Sequence, residues 1–413
     1  MPGEAPMLAV ARWRTAGDSM RELLRTRAKH YSLPQPFYSD PGFFELDLRG
    51  IFYRRWLFAG VACEIPQPGS FFTVQIGPTS IIVVRDRTDT IRAYFNTCRH
   101  RGSRICTAEK GRVGAFVCPY HQWTYDLTGA LRHAGRMHEG FTPDGIGLLP
   151  VHVRTAAGTI YICLADEPPD FSPFKLALEP MLVPHDLSNA KVAHEAHIVE
   201  RGNWKLVMEN SRECYHCRSS HPELMRTFLE TYNFQDPMTD PVISEFVARC
   251  NAAGLPSNGC SGDDFRITRM PLTRNAASIT MDGKEAVSRP LGGIAEPNIG
   301  SLRWVHFPAT FNHALRDYAI LVRMLPVGPQ ETLVTAKWLV HRDAEEGRDY
   351  KLSHLTETWA KTNEQDRILV ERNQQGVNSL GYVPGPYSQE TEAGVINFIE
   401  WYCREMERYL ASD

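Results

Sequence analysis

Two short segments constrain this chain more than any other feature. Cys98-Arg-His100 and Cys118-Pro-Tyr-His121 each bring one cysteine and one histidine, with residues 101–117 between them. Both follow strand-like runs, so each pair sits in a loop after a strand. Two thiolates and two imidazoles form a donor set of borderline softness that suits zinc or iron. Zinc fingers usually pair Cys with Cys and His with His, whereas each segment here supplies one of both. That division is required when each loop must touch both metals of a two-iron cluster, one iron held by sulfur and the other by nitrogen. A structural zinc site made from the same four side chains is the competing reading.

The residues around the ligands, Cys98-Arg-His-Arg-Gly102 and Cys118-Pro-Tyr-His-Gln-Trp-Thr-Tyr-Asp126, closely resemble the Rieske pattern of ring-hydroxylating oxygenases. The resemblance assigns Cys98, His100, Cys118 and His121 to a [2Fe–2S] cluster, whose neutral histidines raise its reduction potential.

Composition narrows the partners. The 413 residues are 43% hydrophobic and 23% charged, enough for two or three domains with their own cores. Lys plus Arg number 45 against 48 Asp plus Glu, so no basic excess draws the chain to nucleic acid or to an anionic membrane, and neither is expected as a partner. Apolar runs such as Ile81-Ile-Val-Val84 are far too short to span a bilayer, and the N-terminus lacks the basic segment and apolar core of a signal peptide. A cytoplasmic protein is expected. The ten cysteines form no short repeated framework, which favours metal ligation over disulfides.

Residues 19–30 and 41–56 read as helices, the second capped by Asp40 with Pro41 in its first turn. From 70 to 96 the period changes to two, and β character continues through 114–118, 122–127 and 149–164. A Pro-rich stretch at 167–173 marks a boundary. Beyond it the chain predicts a helix from about Asn203, strands near 300–324 and 332–341, and a long helix from 349 to about 375. The expected fold class is α+β. An N-terminal helical segment at 1–56 packs with the catalytic domain, an all-β Rieske domain occupies 57–170, and an α+β catalytic domain occupies 171–413. For the last, the resemblance implies a helix-grip-like antiparallel sheet.

Glu213-Cys-Tyr-His216-Cys-Arg-Ser-Ser-His221 offers two imidazoles that a distant carboxylate could complete into the facial triad of a mononuclear Fe(II) oxygenase. On an ideal helix the two histidines would lie roughly 140° apart, so they converge only if the helix ends between them. Pro222 disfavours helical geometry at His221 and makes such an ending natural. Together with Asn203-Trp-Lys-Leu-Val-Met-Glu-Asn210, this segment is similar to the catalytic motif of Rieske oxygenase α subunits. The resemblance implies an Asp on a late helix as third ligand, which selects Asp366, with Glu364 as the competitor. It also gives Glu213 the part of a bridge carrying an electron from His121 of one protomer to His216 of another. Glu rather than the commoner Asp at this position resembles the quaternary-amine branch. Cys214 and Cys217 show Cys-x-x-Cys spacing but lack the βαβ setting of a thioredoxin-like pair, so packing is the expected role.

An electron-carrying cluster beside an iron with open positions implies oxygenation. No glycine-rich dinucleotide fingerprint is present, so NAD(P)H must act through a separate flavin or iron–sulfur reductase. Late segments such as Lys337-Trp-Leu-Val-His341 and Tyr382-Val-Pro-Gly-Pro-Tyr-Ser388 resemble the members of the family that act on quaternary ammonium compounds. That resemblance implies hydroxylation of an N-methyl group by O₂, with glycine betaine as the foremost substrate and proline betaine, carnitine and choline as alternatives. It also implies a homotrimer, because the bridge crosses a subunit boundary. A trimethylammonium group is held by aromatic faces, and Tyr215, Trp304, Phe307, Phe311 and Tyr318 are the candidates. A substrate carboxylate calls for an arginine, which the sequence does not single out. A Rieske electron carrier without oxygen chemistry is the alternative from another class.

Overall fold

The run Ile81-Ile-Val-Val84 feeds two cores from one strand. In the computed structural model, which describes residues 4–229, 240–273 and 276–412, with side chains from Thr15 onward, Ile81 and Val83 enter the main core. Ile82 and Val84 instead join a second core with Cys98, Cys118, Trp123 and Tyr125. Alternation along a strand buried on both faces produces this division.

That strand, Thr79–Arg85, belongs to a seven-stranded antiparallel sheet. Its order is Leu57–Val61, Thr159–Cys163, Pro150–Ala156, Ile91–Phe95, Thr79–Arg85, Ser70–Ile76 and Lys110–Arg112. A smaller sheet of Phe116–Val117, Thr124–Tyr125 and Leu131–His133 carries the second cysteine–histidine loop between its first two strands. The following turn is set by Asp126, which accepts from the backbone amides of Thr128 at 2.8 Å and Ala130 at 3.2 Å. Gly129 sits there at φ +85°, and a Cβ would stand 2.5 Å from the Tyr94 ring, so only glycine fits.

The second large sheet is also seven-stranded and antiparallel, in the order Ala190–Glu200, Glu331–His341, Ala319–Gly328, Thr310–Ala314, Ser301–His306, Phe265–Met270 and Cys260–Ser261. Two helices pack on it and on each other, Trp204–Ser211 and Leu352–Val377. Asn203 caps the first, its side chain accepting from the Lys205 amide at 3.0 Å. The second begins later than the expected residue 349, because the Asp349 carboxylate closes the preceding turn by accepting from the Glu345 amide at 2.8 Å.

The N-terminal helices differ from expectation. The first spans Glu4–Thr26 rather than 19–30, and His30 has a left-handed backbone, φ 62°. The second is α-helical only over Pro41–Asp47, followed by a wider π turn at Leu48–Phe52. Asp40 caps it as expected, accepting from the amides of Gly42 at 2.7 Å and Phe43 at 3.1 Å. At its end the buried Asp47 ion-pairs with Lys205 and accepts from Trp204 Nε1 at 2.9 Å and Tyr402 Oη at 2.7 Å. A buried pair satisfied on several sides fixes how elements dock. Among the described residues no helix is long and apolar enough to cross a membrane.

Candidate metal centres and active-site cavity

Each loop of the first centre is closed by its own cysteine. The Cys98 amide donates to Ser103 O at 2.8 Å and the Cys98 carbonyl accepts from Gly102 N at 2.9 Å; Cys118 does the same with Trp123 O at 2.9 Å and Gln122 N at 3.0 Å. Both loops need a left-handed residue, Gly102 at φ 76° and Gln122 at φ 59°. The sulfurs therefore point inward, Cys98 3% and Cys118 1% exposed, while His100 and His121 lie at the surface. The two Nδ1 atoms stand 3.1 Å apart. Trp123 stacks on His100 at 4.8 Å and Tyr120 on His121 at 3.8 Å.

The surroundings of the sulfurs suit anions. Tyr125 Oη lies 3.3 Å from Cys98 Sγ. Burial pushes the Cys118 thiol up, yet amides of Tyr120 and His121 and the neighbouring Cys98 hold it below its ordinary value. Thiolates inside, imidazoles outside and Nδ1 atoms converging fit a [2Fe–2S] cluster with its nitrogen-bound iron at the surface.

The second centre lies where a short helix ends. Cys217–Ser220 is four residues long, and His221 leaves it with φ −125° and ψ 58°. The break swings His221 back, so that its Nε2 lies 3.1 Å from Nε2 of His216. Asp366, from helix Leu352–Val377, presents Oδ1 2.9 Å from His221 Nε2 and 3.4 Å from His216 Nε2. Asn210 Nδ2 steadies that oxygen at 3.2 Å. The far nitrogens are occupied: His216 Nδ1 meets Glu213, and His221 Nδ1 lies 2.8 Å from Gln365 Oε1. Carboxylates and amides behind ligand histidines fix tautomer and ring orientation, leaving Nε2 for a metal. Burial pushes His216 down, but Asp366 and Glu213 outweigh it and raise it to about 9. The donor set of two imidazoles and one carboxylate fits a mononuclear iron.

Glu364, the competitor, is directed away and pairs with Arg367 at 2.9 Å. Cys214 and Cys217 are joined in a disulfide across the ligand loop, where packing alone was expected. Cys217 Sγ is thus not a thiolate, although it lies among the ligand atoms.

A cavity of about 150 Å³ adjoins this centre, lined by Glu213, His216, His221 and Asp366 together with Phe228, Phe311 and Trp359. Of the expected aromatic residues, Phe311 faces it. Trp304 contributes to the wall, but strand alternation turns its indole to the opposite face from Arg303 and Val305. Three expectations are corrected. Tyr215, just before His216, is 64% exposed and lies outside the cavity lining. Phe307 packs with Phe398 at 5.3 Å and Trp401 at 5.1 Å. Tyr318 stands behind the wall, donating to Ile279 O at 2.6 Å and accepting from Trp359 Nε1 at 2.9 Å. Trp359 was missed, although it precedes Asp366 by two helical turns and so shares its face.

Comparison with known proteins finds a family match over each of the two segments that carry the candidate centres. The family described as Rieske [2Fe-2S] domain matches residues 55–152, and that described as ring hydroxylating alpha subunit (catalytic domain) matches 187–408. The glycine betaine monooxygenase oxygenase subunit of Chromohalobacter salexigens is 48% identical over 397 residues, 95% of this chain and 89% of that protein. The protein of the same name from Pseudomonas aeruginosa strain PAO1 is 48% identical over 404 residues, 96% and 94% of the two chains. Among solved structures, a quaternary ammonium Rieske monooxygenase in complex with L-carnitine superposes with a TM-score of 0.70 at 19% identity, covering 93% of this chain and 98% of that one. With one candidate metal centre in each matched region, this chain belongs to the ring-hydroxylating alpha subunits that carry a Rieske [2Fe-2S] domain.

Proposed function

We propose that this chain is the terminal oxygenase component of a two-component monooxygenase that hydroxylates an N-methyl group of glycine betaine, yielding dimethylglycine and formaldehyde. In this reading Cys98, His100, Cys118 and His121 hold the [2Fe–2S] cluster, and His216, His221 and Asp366 hold the mononuclear iron. The observation that carries it is the cavity, where three convergent donors share a small space with the aromatic faces of Phe311 and Trp359. The relatives' printed activity supports the choice of substrate.

When bound, the two iron groups supply stepwise electrons and a place for O₂ to be reduced. The residues of the chain do the rest. Phe311 and Trp359 present ring faces to a trimethylammonium group, which cannot donate a hydrogen bond, and so hold it by cation–π attraction worth roughly 0.5–2 kcal/mol per ring. The aromatic lining also keeps bulk water from the reacting carbon. One oxygen atom enters a methyl C–H bond and the other leaves as water, consuming two electrons and two protons. The hydroxymethyl group then loses its O–H proton as the C–N bond breaks, releasing formaldehyde and the tertiary amine.

Glu213, held against His216 Nδ1, is the bridge to a Rieske histidine of a neighbouring protomer, so the active assembly is a homotrimer. A cytoplasmic NAD(P)H-dependent reductase completes the system. The test is product analysis with iron-loaded protein, reductase, NADH and a panel of quaternary amines. Formaldehyde and dimethylglycine in equal amounts from glycine betaine are expected. Faster demethylation of proline betaine, or oxidation of carnitine or choline instead, would replace the substrate. A reducible cluster without O₂ consumption with any of them would leave only an electron carrier.

A further inference from the structure

Strands Phe265–Met270, Ser301–His306 and Thr310–Ala314 turn one face toward the cavity. Their register pairs Arg303 with Thr268 on one side and with His313 on the other, and all three line the cavity. Like Arg269 on the neighbouring strand, Arg303 has two enclosed nitrogens, but Arg269 Nη2 reaches Met181 O at 3.3 Å outside the cavity lining, whereas Arg303 lines the cavity. Its Nε and Nη2 are shut off from water and meet no hydrogen-bond partner. Its close neighbour is the ring of Phe228, 3.8 Å below the guanidinium carbon. No carboxylate among the described residues pairs with it, and burial holds it down to about 9. The carboxylates that line the same cavity, Glu213 and Asp366, are engaged by the ligand histidines. His313 beside it adds no negative charge, since burial and then Arg303 itself keep the imidazole neutral.

A guanidinium buried without a counter-ion disfavours the fold, because its hydration is lost and nothing replaces it. A guanidinium pairs well with a planar carboxylate, and Arg303, which lines the cavity, meets one by turning a donor out of the wall that encloses it. We propose that Arg303 anchors the carboxylate of a compact zwitterionic substrate, leaving its trimethylammonium end to Phe311, Trp359 and the iron centre. The inference rests on the betaine reading above and deepens it: the enzyme selects a betaine over an amino alcohol by a charge pair made in a desolvated wall. Arg212, whose buried Nε is also unpartnered, lines the same cavity and adds to its positive potential.

The experiment measures calorimetric binding to the holoenzyme and to its Arg303→Gln and Arg303→Lys variants. Three probes are used: glycine betaine; tert-butylacetate, its carbon isostere, which keeps the carboxylate and loses the cation; and choline, which keeps the cation and loses the carboxylate. Expected is a loss of about 100-fold for both carboxylates in Arg303→Gln, partial recovery in Arg303→Lys, and choline binding changed by less than about threefold. The variant should also melt no lower than the parent, since an unpaired buried charge has gone, whereas a structural arginine would leave a weaker fold. Equal binding of glycine betaine and tert-butylacetate to parent and Arg303→Gln overturns the proposal, as does an equal loss for choline. If the parent does not demethylate glycine betaine yet tert-butylacetate binding still depends on Arg303, the carboxylate site stands and the substrate assignment alone falls. Should Arg303→Gln not fold, Arg303→Lys binding both carboxylates no more weakly than the parent overturns the proposal.

Discussion

Asp366 Oδ1 lies 2.9 Å from Nε2 of His221, joining helix Leu352–Val377 to the loop that follows Trp204–Ser211. Asp366→Ala removes one of three convergent donors. Mononuclear iron content should fall to about a tenth or less, while the visible spectrum of the cluster is unchanged. Iron analysis beside absorbance separates the two metals, and retention of both irons would sink the assignment.

Glu213 holds His216 Nδ1 and approaches the amides of Tyr215 and His216. Glu213→Gln keeps the size and removes the charge. Turnover should drop at least about tenfold, with iron content and glycine betaine affinity preserved. Single-turnover oxidation of the pre-reduced cluster is the decisive measurement, and an unaltered rate would end the bridging role.

Trp359 faces the cavity, with Tyr318 holding its indole from behind at 2.9 Å. Trp359→Leu should raise KM for glycine betaine roughly tenfold, the scale of one lost ring face. Tyr318→Phe should cost less, about two- to threefold, since it removes a positioning hydrogen bond and leaves the ring. Steady-state kinetics on both variants gives the order, and a reversed order would place Tyr318 at the substrate.

Tyr125 Oη stands 3.3 Å from Cys98 Sγ. A donor to a cluster thiolate favours the reduced, more negative state. Tyr125→Phe should lower the cluster potential by tens of millivolts, about the worth of one charge-assisted hydrogen bond. Redox titration followed by electron paramagnetic resonance would show it.

Glu200 is buried, and its Oε2 has no partner. Burial first, then the charges of Asp366 and Glu371, push its carboxyl up to about 8. The folded protein thus keeps this proton when the unfolded chain has lost it. The resulting stability is full at low pH and is lost as pH rises from the ordinary carboxylate range through about 8. Glu200→Gln should melt a few degrees above the parent near pH 9 and no higher near pH 4. Thermal melts across that range check the sign.

Much of the site was legible because its signals are local. Cysteine and histidine in one loop, a helix interrupted by Pro222, and strand alternation from Ser70 to Phe95 depend on neighbours in sequence, and backbone sterics translate them directly. Asp366 came from resemblance to a family motif, since a lone carboxylate on a charged helix has no local mark of ligation. What only the tertiary structure decided is which face meets which. Phe307, Phe311 and Tyr318 fall in one short stretch, residues 307–318, and nothing in their spacing tells a core ring from a cavity wall. Arg303 reads in sequence as an ordinary strand residue. Its isolation exists only once two ladders and Phe228 close around it and no carboxylate arrives, because burial and missing partners are properties of distant chain segments brought together.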